Sequence, residues 1–183
     1  MTDARLRGVA AGSLIVGALL GMAGTFAPTA GFRGVAWGID GILLVVGCAL
    51  LAVHHVRRGD ELLAAGFLVF VAGETLIVSG SAMTIESSAP VFAAGAGLWS
   101  ASLLLVSASS LMPLGIRATG ATAALLFGAT ALSILGGAPL TPLSQPLPYF
   151  AYPLLVITLF GWAWVHAKPA SRPGAGGAGG GSS

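Results

Sequence analysis

Charged side chains are scarce in this chain of 183 residues, at 8% of the total against 56% apolar residues. An ordinary soluble domain has roughly a quarter of its residues charged. With eight basic and six acidic residues, a water-exposed surface would be largely apolar and would aggregate, whereas a surface that faces lipid needs no charges. The scarcity of charge therefore excludes an ordinary soluble fold and predicts a membrane protein.

Cysteine is nearly absent, because Cys48 is the one cysteine of the sequence. A single thiol excludes a disulfide within the chain and leaves the redox compartment open. Its position inside an apolar run is typical of a small buried hydrophobic residue. A basic stripe is also missing, since the basic residues stand singly or in pairs at the ends of apolar runs. Nucleic-acid binding is therefore not expected, despite the net charge of +2.

The sequence lacks the short motifs that announce common chemistry. It contains no nucleophile elbow, no phosphate-binding glycine loop, no zinc signature and no dinucleotide fingerprint. We therefore assign no catalytic residue, expect no cofactor and do not expect an enzyme.

Long apolar runs are what the sequence does contain. A membrane-spanning helix needs roughly 20 mostly apolar residues, and six such runs are separated by polar, proline or glycine residues. They lack the alternation of barrel strands, so helices are the expected way to satisfy the backbone in lipid. The sequence predicts one all-α domain, a polytopic transmembrane helix bundle over residues 1–168, with spans near 8–28, 35–56, 62–82, 90–112, 119–138 and 148–167.

The distribution of lysine and arginine predicts the orientation of these spans. If the N-terminus is cytoplasmic, Arg33 is the one basic residue outside, and positive charges are retained preferentially on the cytoplasmic side. Both termini are therefore expected in the cytoplasm, in what we expect to be a prokaryotic cytoplasmic membrane. The basic residues of the inner segments are then Arg5, Arg7, Arg57, Arg58, Arg117, Lys168 and Arg172.

The two ends of the chain carry separate signals. Arg5 and Arg7 precede an apolar stretch with small residues over 23–27, which is also typical of a secretory signal peptide. The stretch is long for a signal peptide, so a retained first helix is favoured. Residues 169–183 are rich in Gly, Ala and Ser and are predicted to form a disordered tail, a composition equally typical of an appended linker.

Glu74 is the most informative single residue. It lies about twelve residues into the third predicted helix, roughly 18 Å from its start at 1.5 Å per residue. An ionised carboxylate at that depth must be paired, hydrated or protonated, and acids inside a membrane are functional candidates. The sequence leaves two interpretations open: Glu74 binds a proton or cation, or it links helices through nearby Ser and Thr hydroxyls.

Asp40 approaches the same level from the second predicted helix. It lies about five residues from the outer start of that helix, so Asp40 and Glu74 are expected in the same half of the bilayer. Arg33 and Glu86 fall in the outer loops above them. Together they predict a small acidic cavity for a proton or cation, with Arg33 as a possible counter-ion. The favoured alternative is a hydrated, interfacial Asp40 and an ordinary loop charge at Glu86.

Three histidines, His54, His55 and His166, fall at the predicted cytoplasmic ends of the second and sixth helices. Two imidazoles facing across a bundle could ligate a metal ion or a haem. No third ligand stands at metal-like spacing, however, and haem ligands normally lie deeper in a bundle. Interfacial histidines that hydrogen-bond to the helix ends are therefore favoured.

Three functions remain open on these grounds. The favoured one is a small integral membrane protein that acts by association, within the lipid bilayer, with a membrane-protein partner or with further copies of itself. The alternative is a proton- or cation-linked transporter of small solutes that uses Glu74 and Asp40. The third is a membrane redox protein that uses the histidines.

Overall fold

The computed structural model of the protein describes residues 2–80, 83–141 and 146–168, without the side chains at positions 85, 86 and 148. The predicted tail, 169–183, lies outside the described residues.

All regular structure in these ranges is helical, as predicted. Six helical segments, the last including a π-helical turn over Leu147–Ala151, are long and apolar enough to cross a membrane. This confirms the prediction of an all-α chain with six apolar helices. The α-helices are α1 (Asp3–Thr25), α2 (Ala30–Arg58), α3 (Glu61–Gly80), α4 (Ile85–Ala108), α5 (Leu114–Leu135) and α6 (Tyr152–Ala167).

The helix ends extend beyond several of the apolar runs. α1 begins at Asp3 rather than near residue 8, with the acidic side chain in its first turn. α2 continues through Arg58 to Gly59, whose φ of 75° is left-handed. Acidic residues in a first turn and basic residues in a last turn complement the helix dipole, and glycine ends a helix in the left-handed conformation without steric cost. Charged residues therefore belong to these helices rather than to the loops.

The six helices run alternately up and down in a closed ring. Each helix packs against its neighbours in the chain, and α1 packs against α6 to close the ring. The end that holds Asp3, Arg58 and Lys168 is called here the terminal end, and the end that holds Thr25 and Ala30 the opposite end. Arg33 lies at the opposite end, and the other described basic residues lie at the terminal end.

Large apolar side chains cover the outer surface of this ring. Leu132 is 73% exposed and Leu125 is 69% exposed, far more than a water-soluble surface of this size would present. Such a surface suits hydrocarbon and supports the assignment to a membrane.

Four buried aromatic rings fill the middle of the bundle. Trp99 stacks on Phe70 with ring centroids 5.8 Å apart, Phe70 meets Trp162 edge-on at 5.8 Å, and Trp162 meets Phe67 edge-on at 5.1 Å. None of these side chains is more than 5% exposed. We call them the aromatic core. Edge-to-face and offset contacts of this kind add to the packing energy of a core.

The backbones of α3 and α4 approach closely at a pair of glycines. A Cβ built at Gly95 would lie 2.9 Å from the carbonyl oxygen of Gly73 and 2.8 Å from Ile77 Cγ1. Small residues permit such close approach of helices in a membrane. Glycine at 95 therefore sets the distance between α3 and α4.

Replacing Gly95 tests this contact. Gly95→Ala is expected to lower the free energy of unfolding by about 1–3 kcal/mol, the usual cost of overpacking, and to lower the thermal midpoint in detergent. The control is Gly12→Ala on α1, where a Cβ meets nothing within 4 Å and the helix propensity of alanine should stabilise slightly. Equal midpoints for the two variants would contradict the close packing.

Candidate functional site

A cavity of about 330 Å³ opens between the helices in the half of the bundle toward the opposite end. It is lined from α1, α2, α3, α4 and α6 and from the segment before the π-helical turn, and most of the lining side chains are apolar. Small-molecule sites in proteins are typically mostly apolar clefts of about 300–1,000 Å³ with a few placed polar groups. The cavity falls in this class.

Glu74 reaches the cavity from α3 and is 2% exposed. Its Oε2 atom is buried and has no hydrogen-bond partner among the described residues. Its Oε1 atom lies against Gly41 of α2, where a Cβ would stand 3.1 Å from that oxygen. The alternative interpretation from the sequence is that Glu74 links helices through nearby Ser and Thr hydroxyls. Among the described residues, no hydroxyl bonds to Oε2.

Asp40 lines the same cavity from α2 and is half-buried. Its Oδ1 atom is buried without a hydrogen-bond partner in the described part of the chain. Its Oδ2 atom lies over Gly21 of α1, where a Cβ would stand 2.5 Å away. Glycine at 21 therefore makes room for this carboxylate, and Asp40 and Glu74 line one cavity.

Arg33 also lines the cavity, toward its outer end. Its Nη2 atom donates a hydrogen bond to the carbonyl oxygen of Ala27 at 3.1 Å, and the guanidinium stands 5.8 Å from the ring centroid of Trp37. No ion pair joins it to Asp40 or Glu74. The predicted counter-ion therefore shares the cavity without neutralising either carboxylate. The side chain of Glu86 lies outside the described residues.

Aromatic side chains form the wall around the two carboxylates, and the sequence did not identify them as part of the site. Trp37, Phe92, Trp99 and Tyr152 all line the cavity. The Trp37 indole donates to the carbonyl oxygen of Gly21 at 3.2 Å, whereas Trp99 Nε1 is buried without a partner among the described residues. Trp99 thus belongs both to the aromatic core and to the cavity wall.

The three histidines meet at the terminal end, and we call them the histidine cluster. His54, His55 and His166 are all buried, with 4–5% of each residue exposed. His54 Nδ1 lies 2.7 Å from Asp3 Oδ1, and His55 Nδ1 lies 3.1 Å from Asp60 Oδ2. The carboxylates of Asp3 and Asp60 therefore hold two of the imidazoles in place. The sequence did not identify either of them as part of a site.

His166 completes the cluster from α6. Its Nε2 atom lies 2.9 Å from His55 Nε2, and its Nδ1 atom lies 2.6 Å from the carbonyl oxygen of Trp162. Within the described ranges, no group of three or more His, Cys, Asp or Glu side chains is arranged to hold a metal ion. The sequence favoured histidines that hydrogen-bond to the helix ends. Among the described residues, His166 makes such a bond to the backbone, whereas His54 and His55 bond to carboxylates and His55 also bonds to His166.

The cavity and the histidine cluster lie at opposite ends of the bundle, with the aromatic core between them. Phe67 of this core stacks on His55 at a centroid distance of 5.6 Å, and Trp99 of the same core lines the cavity. Comparisons of the chain with protein-family models, with curated proteins and with solved structures found no match.

Proposed function

We propose that the protein binds a small organic cation in the cavity and carries it across the membrane in exchange for protons. The observation that carries this proposal is that Glu74 and Asp40 line one cavity, each with a buried oxygen atom that has no partner among the described residues. A carboxylate without a partner in a medium of low dielectric constant is costly. Either a cation or a proton removes that cost, so the two compete for the site.

The walls of the cavity favour an organic cation over a metal ion. Faces of Trp and Tyr attract cations within about 6 Å of the ring centroid, and quaternary ammonium groups are commonly bound this way. Mg²⁺ and Ca²⁺ instead need six or more oxygen ligands, including waters. A mostly apolar lining with two carboxylates and four aromatic side chains therefore suits an amine or ammonium compound with an apolar substituent.

The residues that line the two ends of the cavity indicate from which side of the membrane a solute enters it. Thr25, Ala30 and Thr141, which stand at helix ends or in a loop at the opposite end, belong to its lining. The aromatic core lies below it and separates it from the terminal end. Basic residues collect at the terminal end, which supports cytoplasmic termini. We therefore propose that the solute reaches the cavity from the outer side, and that the aromatic core must rearrange to release it inward.

A binding measurement with a charged probe and its neutral isostere tests the proposal. Tritiated benzyltrimethylammonium should bind saturably to the protein in lipid nanodiscs, and unlabelled probe should displace it. Neopentylbenzene, which replaces the ammonium nitrogen by carbon, should not displace it, because the charge is what the carboxylates recognise. Equal displacement by both compounds would show an apolar cavity without cation recognition and would contradict the proposal.

The dependence of this binding on pH has a defined sign. A proton on Glu74 or Asp40 removes the negative charge that attracts the ammonium group, so affinity for the probe should fall as the pH is lowered. The probe carries a permanent charge, so the change belongs to the protein alone. An affinity that is constant from about pH 8 to the acid range in which carboxyls ordinarily titrate, near 4, would contradict competition between proton and cation.

Association with a partner, the function favoured from the sequence alone, stays a prediction. It is tested by co-purification of a second membrane protein, or of a defined homo-oligomer, from native membranes in mild detergent. The two functions are compatible, because the proposed partner would contact the outer surface of the ring and the solute binds inside it.

A further inference from the structure

The hydrogen bonds of the histidine cluster define where protons must be. The carbonyl oxygen of Trp162 only accepts hydrogen bonds, and His166 Nδ1 lies 2.6 Å from it, so that nitrogen carries a hydrogen. A neutral imidazole has one N–H group, which leaves His166 Nε2 as an acceptor. His55 Nε2, 2.9 Å away, must then donate.

The same reasoning extends to the carboxylate. If His55 Nε2 carries a hydrogen, a neutral ring has no hydrogen on Nδ1, which lies 3.1 Å from Asp60 Oδ2. All three hydrogen bonds can therefore form only if His55 or His166 is an imidazolium or if Asp60 is a carboxylic acid. In each case the chain from Asp60 to Trp162 holds one proton more than an ionised carboxylate and two neutral imidazoles would carry.

Charged groups surround this chain on several sides. Arg58 of α2 lies 3.5 Å from the same Asp60 oxygen. From α1, Asp3 pairs with both Arg7, at 3.3 Å, and His54, at 2.7 Å. α3 contributes the uncharged ring of Phe67. The Asp60 carboxylate is thus the acidic group in hydrogen-bond contact with His55, and the second carboxylate, Asp3, is engaged with His54 and Arg7.

We propose that Asp60, His55 and His166 form a binding site for a single proton, and that this proton links α2 to α6 across the bundle. These two helices are not neighbours in the ring, and the contact between His55 Nε2 and His166 Nε2 is a direct polar bond between them. Without the proton, two rings with one N–H group each must serve three contacts: His55 with Asp60, His55 with His166, and His166 with the Trp162 carbonyl. The bond to an ionised carboxylate is charge-assisted and the strongest of the three, so one of the two contacts of His166 loses its hydrogen bond.

The proton that links α2 to α6 also affects the distant cavity, whatever solute the cavity binds. α2 carries Asp40 and α6 carries Tyr152, and both side chains line the cavity. Uptake of the proton at the terminal end therefore ties together two helices that form the cavity walls. Its loss removes one hydrogen bond from this chain and weakens the tie at that end, which favours a separation of the two helices that inward release of a solute would require.

Nitrogen-15 NMR of labelled histidine rings tests the site directly, because the chain contains three histidines. In the protein in nanodiscs, His55 and His166 should titrate together in a single step of one proton, with His166 Nδ1 protonated below it. Asp60→Asn should remove the step. The asparagine amide can donate to His55 Nδ1, so that every hydrogen bond of the chain forms with two neutral rings.

Two further variants separate this proposal from a merely structural role. Asp3→Asn, next to His54, should leave the common titration step of His55 and His166 unchanged. His55→Gln should leave His166 neutral with a hydrogen on Nδ1 and without a step, which keeps the test valid if Asp60→Asn fails to fold. Independent titration of His55 and His166 in the unaltered protein, or a shared step that survives in Asp60→Asn, would overturn the proposal.

Discussion

Glu74→Gln is expected to abolish uptake of benzyltrimethylammonium into proteoliposomes and to weaken its binding by about tenfold to a hundredfold. The loss corresponds to about 1.5–3 kcal/mol, the usual contribution of a hydrogen bond or close contact to a charged group. Glutamine keeps the size of the side chain, so the fold should survive. It cannot carry a negative charge or exchange a proton, so both cation recognition and proton exchange are lost.

The matched control is Glu61→Gln, in the first turn of the same helix. Glu61 is exposed at the terminal end, remote from the cavity, so uptake and affinity should stay within twofold of the unaltered protein, or about 0.4 kcal/mol. The proposal would be contradicted if Glu74→Gln transported normally, or if Glu61→Gln lost as much activity as Glu74→Gln.

Trp162→Ala is expected to cause a larger loss of stability than Gly95→Ala or Trp164→Ala. Trp162 is 1% exposed and contacts Phe67 and Phe70 of the aromatic core. Truncating a buried Trp costs about 3–5 kcal/mol in soluble proteins. In a membrane the gain from transfer out of water is absent, so lost packing and the cavity left behind should place the loss near the lower end, at about 3 kcal/mol.

Trp164→Ala provides the comparison on the same helix. Trp164 is 55% exposed, and the Lys168 ammonium lies 3.3 Å from its ring centroid. An exposed cation–π contact contributes only about 0.5–1 kcal/mol. Reversible unfolding in mixed micelles should therefore separate the two variants by about 2 kcal/mol. Similar losses for both would show that the aromatic core does not hold the bundle together.

The architecture could be predicted because the length of an apolar run is read directly from the sequence. A run of about 20 apolar residues fits one membrane crossing and little else, so six runs predicted six helices, and the structure has them. Depth along the helices also predicted that Asp40 and Glu74 share one half of the bilayer, because antiparallel neighbouring helices bring residues at equal distance from the same membrane face to the same level.

What the sequence left open is the rotation of each helix about its axis. In a soluble helix the apolar stripe identifies the buried face, but in lipid the outer and inner faces are both apolar. Nothing in the pattern therefore showed that Trp99 faces the cavity or that Tyr152 joins its wall. Gly21, which makes room for the Asp40 carboxylate, and Gly41, which lies against Val78 and the Glu74 carboxylate, were equally indistinguishable from the many other glycines of the chain.

The pairing within the histidine cluster was hidden for a different reason. His55 and His166 are separated by 111 positions in the sequence, and their contact depends on how the ring of helices closes. Asp3 and Asp60 looked like ordinary charges at helix ends. Their hydrogen bonds to His54 and His55 became evident only once α1, α2 and the turn after Gly59 were placed together.

Site-directed labelling of Met22 tests the central claim most directly, namely that a cation-selective cavity is open to water at the opposite end. Met22 lines the cavity from α1, and Cys48→Ala provides a background without thiols. Met22→Cys in that background should react with a membrane-impermeant maleimide applied from the side away from the termini. Benzyltrimethylammonium should protect it, whereas neopentylbenzene should not.

The control position is Leu19 on the same helix, which is 54% exposed on the outer surface of the ring. Leu19→Cys in the same background should face hydrocarbon and stay unlabelled. The account predicts labelling of Met22→Cys with protection by the cation alone. Absence of labelling at this position, or equal protection by the neutral isostere, would contradict it.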